Sequence, residues 1–178
     1  MTHAVILAAG IGSRFGGQKL LALLDGKPLI AHVVAAVAHL PTVVVGPPEL
    51  EPHIYPARLV ENLAPERGMA HSLRLADAAI DADDAILVLL ADMPYVTREL
   101  VDWVLEAGRH CDIAYPEHAS VGGHPVFFSQ IARAKIKGLA DGDTIKALRD
   151  DATFSNTKLN FDGPSAYRDV DTPSDLLD

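Results

Sequence analysis

An apolar strand that runs directly into a glycine-rich, cationic segment constrains this chain more than any other feature. Residues 3–8 (His-Ala-Val-Ile-Leu-Ala) lead into Gly10, Gly12, Gly16 and Gly17, four glycines within eight residues, with Arg14 among them and Lys19 just beyond. A strand that is apolar along most of its length is covered on both faces, the condition of a central parallel strand. Glycines past its end let backbone amides approach an anion closely. Arg14 and Lys19 add the positive charge that a polyphosphate requires.

The rest of the chain repeats the alternation. Residues 42–46 and 85–90 are further apolar runs, and 57–61 reads as a short strand between them. Leu29, Ile30, Val33, Val34, Val37 and Leu40 follow Pro28 at helical spacing, and Met69, Leu73, Ala76 and Ile80 do so after Gly68. Thr97 predicts the N-cap of a helix reaching Gly108. Beyond it the pattern predicts strands near 112–115, 124–128 and 167–170 and helices near 129–137 and 143–150, with a hairpin-like return and one antiparallel member. The fold class that follows is α/β, a mainly parallel sheet with helices on both faces. Residues 1–178 read as one domain, since no repeat, low-complexity tract or linker divides them.

Composition excludes several classes. A hydrophobic content of 49% excludes a disordered chain. The net charge of −9 argues against nucleic acid as a partner but leaves room for one local anion site. No run reaches the roughly 18 apolar residues of a membrane span, and no cationic-then-apolar leader opens the sequence. A cytoplasmic protein with no membrane partner is expected. Cys111 is the single cysteine, which excludes a disulfide within the chain and a Cys-rich metal site. Two phosphate-binding motifs also fail. A P-loop needs Gly-Lys followed by Ser or Thr, but Lys19 stands between Gln18 and Leu20. Gly10, Gly12 and Gly16 are spaced one residue too far for a dinucleotide fingerprint.

The segment Leu7-Ala8-Ala9-Gly10-x-x-Ser13-Arg14-x-Gly16-x-x-Lys19 resembles the signature loop of nucleotidyltransferases with a single α/β domain. These include the enzymes that attach CMP or GMP to molybdopterin, and sugar-phosphate and methylerythritol-phosphate transferases. The resemblance implies a three-layer α/β/α nucleotidyltransferase domain in which this loop wraps the NTP phosphates. It assigns nucleotide binding to Leu7, Ala8, Ala9, Gly10, Ser13, Arg14, Gly16 and Lys19. Asn62, Gly68 and Ser72 resemble the segment that contacts base and ribose. Gly123-His124-Pro125-Val126 resembles the acceptor-site motif of molybdenum cofactor cytidylyltransferases, so Gly123, His124 and Pro125 are expected on the acceptor side. Gly122 departs from the pattern, standing where an arginine commonly precedes that motif.

Arg14, Lys19 and Asp92 are the expected catalytic set. Two anions must meet in the reaction, so positioning and charge neutralisation carry the catalysis. Mg²⁺ is the implied cofactor, a hard ion satisfied by one or two carboxylates together with phosphate oxygens. Asp92 lies just past the carboxyl end of the 85–90 strand, where open α/β sheets bind ligands. Asp169 and Asp171 alternate along the expected late strand and so share a side. Resemblance to pyrophosphorylases in the closing Asp169-Val170-Asp171-Thr172-Pro173 motif favours Asp171 as the second metal ligand. The same Asp-Thr-Pro run also reads as a helix start.

Ala9, Gly68-Met69-x-x-Ser72-Leu73 and Gly123-His124-Pro125-Val126 together resemble the cytidylyl branch. The expectation is therefore CMP transfer from CTP to a molybdopterin-type cofactor with release of pyrophosphate, and a molybdoenzyme or its chaperone as downstream partner. Guanylyl or other NTP transfer to a different phosphorylated acceptor, such as a sugar phosphate, is the enzymatic alternative. A catalytically silent cofactor-handling protein is the other, and the intact Arg14, Lys19 and Asp92 set argues against it.

Overall fold

The computed structural model describes residues 1–10, 15 and 18–176. Ser13, Arg14 and Gly16 therefore lie outside the described residues. In chain order the elements are β1 (Thr2–Leu7), a small hairpin of β2 (Leu23–Leu24) and β3 (Lys27–Pro28), α1 (Leu29–Ala36), β4 (Thr42–Gly46), β5 (Arg58–Glu61), α2 (Met69–Ala78) and β6 (Ala85–Leu90). Then follow α3 (Arg98–Gly108), β7 (Ile113–His118), β8 (Val121–Gly122), β9 (Val126–Phe128), α4 (Gln130–Arg133), α5 (Ile145–Arg149) and β10 (Asn156–Asn160).

Among the described residues the main sheet runs β10-β7-β9-β6-β1-β4-β5, with β8 added to β7. β1 pairs in parallel with β4 and β6, and β4 with β5. β9 is antiparallel to both its neighbours, wedged between β6 and β7, and β8 is antiparallel to β7. β1 and β6 match over their full length, from Thr2 opposite Ala85 to Leu7 opposite Leu90. Their carboxyl ends therefore finish level. The chain leaving β1 stays in step, with Ala8 N–H donating to Val45 O at 2.8 Å and Ala91 N–H to Leu7 O at 3.0 Å.

Alternation along the strands divides the core in two. Ala4, Ile6, Val44, Leu87 and Leu89 face the side covered by α1 and α3. Val5, Val43, Val45, Ile86 and Val88 face Leu73 and Ala76 of α2, Ala132 of α4 and Leu148 of α5. This is the three-layer arrangement expected from the apolar strands. The Thr97 side chain accepts from Leu100 N–H at 3.3 Å, capping α3 as its residue type predicts. No helix among the described residues is long and apolar enough to cross a membrane.

One expected strand is absent. Residues 167–170 form no strand; Val170 N–H makes a single bond to Asp92 O at 2.9 Å. The late strand is β10, paired in parallel with β7 at the sheet edge. Its Asn-Thr-Lys-Leu-Asn sequence carries one apolar residue, because only half of one face is covered there.

Arg133 locks α4 onto the end of α2. It is 2% exposed and donates from Nε to Asp77 Oδ1 at 2.7 Å. Its Nη groups donate to the carbonyls of Asp77, Ile80, Asp81 and Asp84. All five guanidinium N–H donors are thus used, several on carbonyls that a helix end leaves without intrahelical partners. Arg133→Met would strand those carbonyls and the buried Asp77 carboxylate. We expect it to lower the unfolding free energy by about 3–5 kcal/mol in urea denaturation; a loss below about 1 kcal/mol would be that of a surface ion pair.

Candidate active site

The level ends of β1 and β6 open a cavity of about 440 Å³, within the usual range for small-molecule sites. Ala8, Ala9 and Gly10 leave β1 along one wall, Leu90, Ala91 and Asp92 leave β6 along another, and Gly68, Met69 and Ser72 present the start of α2. The amino end of α2 brings amide N–H groups and the positive end of its dipole to the same space. Gly68 turns the chain into α2 at a φ of +83°, a conformation that suits glycine.

Lys19 closes the floor of the cavity. It begins a short 3₁₀ turn, Lys19–Leu21, and is 9% exposed. Its Nζ donates to Asp92 Oδ2 and to Asp171 Oδ1, each at 3.0 Å. Burial works to lower its pKa, but the hydrogen bonds and charges of Asp171 and Asp92 outweigh this and hold it above the ordinary lysine value. Asp171 is pinned from behind by Asp175, whose Oδ2 accepts from Asp171 N–H at 2.9 Å, Thr172 N–H at 2.7 Å and the Thr172 hydroxyl at 2.9 Å. The Asp-Thr-Pro run is thus a helix start and a part of the site at once. Thr172 to Asp175 starts the 3₁₀ turn Pro173–Leu176, and that turn aims Asp171 at Lys19. Asp169, by contrast, is exposed.

Asn62 is buried behind the cavity. Its Nδ2 donates to Ser72 Oγ at 3.0 Å and its Oδ1 accepts from Ala64 N–H at 2.9 Å. Ser72 lines the cavity, and Asn62 fixes Ser72. In the Gly123-His124-Pro125 motif, Gly123 is packed so closely that an added Cβ would lie 2.4 Å from Ala166 O. Gly123 N–H donates to Pro116 O at 2.8 Å and His124 N–H to Ala166 O at 2.9 Å. Gly123 and the buried Pro125 thus shape the backbone, and His124 is the side chain of the motif that lies at the carboxyl edge of the sheet. Its Nδ1 stands 3.4 Å from Val88 O. Burial first, and the positive charge of Arg149 second among the lowering influences, push its pKa down to about 4, so the ring is neutral at neutral pH.

Two carboxylates converge on one buried cation, beside a cavity walled by strand ends and a helix amino terminus. That arrangement suits a polyanion with a counter-ion. Two carboxylates also match the donor set of Mg²⁺ held with substrate phosphates. Among the described residues no group of three or more His, Cys, Asp or Glu is gathered for a metal.

Residues 4–155 match the family described as MobA-like NTP transferase domain. The chain belongs to that family of nucleotidyltransferases. A molybdenum cofactor guanylyltransferase from Neisseria meningitidis serogroup C is 33% identical, the match covering 98% of this chain and 97% of the relative. Among solved structures, Rv0371c from Mycobacterium tuberculosis H37Rv superposes with a TM-score of 0.85 at 23% identity, covering 99% of this chain and 95% of that one. Molybdopterin-guanine dinucleotide biosynthesis protein A from Archaeoglobus fulgidus superposes at 0.72 with 21% identity, covering 98% and 95%. These likenesses extend the three-layer fold over the whole chain.

Asp175 belongs with Leu176 to the closing motif and also completes a Thr-x-x-Asp capping pattern. Arg149, near the site, stands outside the sequence motifs and carries no such signal. The depressed His124 pKa has a consequence for stability. The unfolded chain protonates this ring near 6.5 and the native chain near 4, so the unfolded state binds more protons between those values. Its contribution is complete above pH 6.5 and declines as pH falls towards 4. His124→Gln should flatten that part of the stability profile by about 2–3 kcal/mol, followed by urea denaturation between pH 4 and 7.

Proposed function

We propose that this protein transfers a nucleoside monophosphate from an NTP to a phosphate of molybdenum cofactor, releasing pyrophosphate. The observation that carries the reading is the buried Lys19 ammonium held between Asp92 and Asp171 beside the cavity at the ends of β1 and β6. An acceptor phosphate oxygen attacks the α-phosphorus, the bond to the bridging oxygen breaks, and its electron pair leaves with pyrophosphate. Asp92 and Asp171 would hold Mg²⁺, which when bound neutralises charge on the triphosphate. Lys19 offers its ammonium to phosphate oxygens where negative charge grows, and the α2 amides orient the nucleotide.

GTP is the favoured donor, because a relative matched over nearly its whole length is named a guanylyltransferase. CTP is the second reading, and it rests on the resemblance at Ala9 and Gly123-His124-Pro125-Val126. A panel of GTP, CTP, UTP and ATP against molybdopterin cofactor and sugar phosphates, read by pyrophosphate release, decides between them. The highest kcat/KM is expected for GTP with molybdopterin cofactor. A preference for CTP would restore the cytidylyl assignment, and turnover with sugar phosphates alone would reject the acceptor.

With the active pair, Lys19→Ala should lower kcat by roughly 10²-fold or more, as for loss of a charge contact made in the transition state. Asp92→Asn and Asp171→Asn should each raise the Mg²⁺ concentration needed for half-maximal turnover, while Asp169→Asn leaves it near wild type. An equal effect at Asp169 would undo the choice of Asp171.

A further inference from the structure

Position 122 has no side chain, and a guanidinium from another element fills the space beside it. A Cβ built on Gly122 would lie 2.0 Å from Arg149 Nη1 and 2.5 Å from Arg149 Cζ. Arg149 is the last residue of α5. Its guanidinium sits over the ring of Tyr115, 4.8 Å from the centroid, and Tyr115 itself is buried in β7. The side chain is consequently only 16% exposed.

What the guanidinium does not do is informative. Its ion-pair partner among the described residues is the adjacent Asp150, whose Oδ1 stands 3.9 Å from Nε, too far for a hydrogen bond. No buried side-chain nitrogen or oxygen among the described residues lacks a partner, so the Arg149 donors are open to solvent and not sealed in the core. Arg133 is the internal contrast: it is equally well held, with every donor spent on the fold. Arg149 is held by stacking and by the gap at Gly122, with its donor fork left over.

Its position matters too. β7 and β6 both run antiparallel to β9, so the carboxyl ends of β7 and β6 share one edge of the sheet. Tyr115 and Leu148 belong to the same core face as Leu73 of α2, the face on which Ser72 lines the cavity. His124 lies within electrostatic reach of both Arg149 and Asp92. The guanidinium thus flanks the acceptor motif at the edge where Asp92 and Lys19 meet.

We propose that Arg149 binds the phosphate of the acceptor, its planar donor fork presented through the gap that Gly122 leaves. A forked guanidinium recognises a phosphomonoester through paired N–H donors, which a lysine cannot reproduce. The inference rests on the nucleotidyl-transfer reading for the identity of that phosphate, and the anion site itself is tested independently.

The variants are Arg149→Gln, Arg149→Lys and Gly122→Ala. The last leaves the arginine in place and displaces its flexible end. With the nucleotide site filled by a non-hydrolysable NTP analogue, inorganic phosphate is titrated by calorimetry. Wild type should bind it, Arg149→Gln and Gly122→Ala should weaken it at least tenfold, and Arg149→Lys should fall between, with affinity for the analogue unchanged. In turnover the KM of molybdopterin cofactor should rise at least tenfold while the KM of the NTP holds. Absent phosphate binding by wild type, equal phosphate affinity in all variants, or weakened analogue binding would overturn the proposal. So would a lowered melting temperature with all ligands weakened together. If phosphate binding depends on Arg149 but wild type transfers to no acceptor, the anion site stands and the transfer reading fails. If Arg149→Gln transfers to molybdopterin cofactor with an unchanged KM, the transfer reading stands and the role of Arg149 fails.

Discussion

A buried ammonium cannot be held without counter-charge, and the carboxyl edge of this sheet is organised around that requirement. Lys19 is almost fully covered, and its Nζ finds Asp92 and Asp171 at 3.0 Å each. The contact ties together the end of the glycine-rich segment, the end of β6 and the closing turn. Removing charges from water costs several kcal/mol per ion, about as much as their attraction returns, so such a cluster fixes geometry more than it adds stability. The converse also applies: two carboxylates aimed at one point are costly to keep together unless a cation stands between them. The closing turn is therefore held to the sheet by the same charges that define the site.

The antiparallel strand β9 has an equally local physical role. β6 and β7 run parallel and are joined through α3, as a parallel crossover requires, yet they do not pair with each other. β9 fills the place between them and delivers the residues preceding it to the edge where β6 ends. Gly123-His124-Pro125 consequently enters at the level of Asp92, with Val126 opposite Val88. Close packing of Gly123 against Ala166, and the bond from Val170 N–H to Asp92 O, bind the Gly-His-Pro motif and the closing segment to the same framework.

Elements governed by local rules were legible in the sequence. The 85–90 run is a strand because it is apolar and buried on both faces, and Thr97 caps α3 through its own hydroxyl. β10 was not legible, because an edge strand with one covered face needs little apolar sequence, and 167–170 looked more strand-like than it is. In the site, Lys19, Asp92, Asp171 and Ser72 were readable as residue types at motif positions. Asn62, which resembles a ligand contact in sequence, stands behind Ser72, its amide donating to Ser72 Oγ and accepting from Ala64 N–H. Arg149 was hidden for a different reason. Its environment is made by an absent side chain at position 122, far along the chain, and no local pattern encodes that.

Base choice belongs to the same class of hidden property. Guanine and cytosine differ in the donors and acceptors along their edges, so discrimination needs polar groups at fixed places. The residues lining the cavity near the start of α2 supply few from side chains: Ala8, Ala9 and Met69 offer apolar surface, Pro65 and Gly68 offer backbone, and Ser72 offers one hydroxyl. A methyl at Ala9 neither donates nor accepts. It can set how closely a base approaches, but it cannot report which edge is presented. Among the described residues, the polar groups along the cavity wall are then largely backbone amides and carbonyls. Their directions are set by how β1 and α2 are held against the sheet, and a main-chain carbonyl is written identically by every residue type.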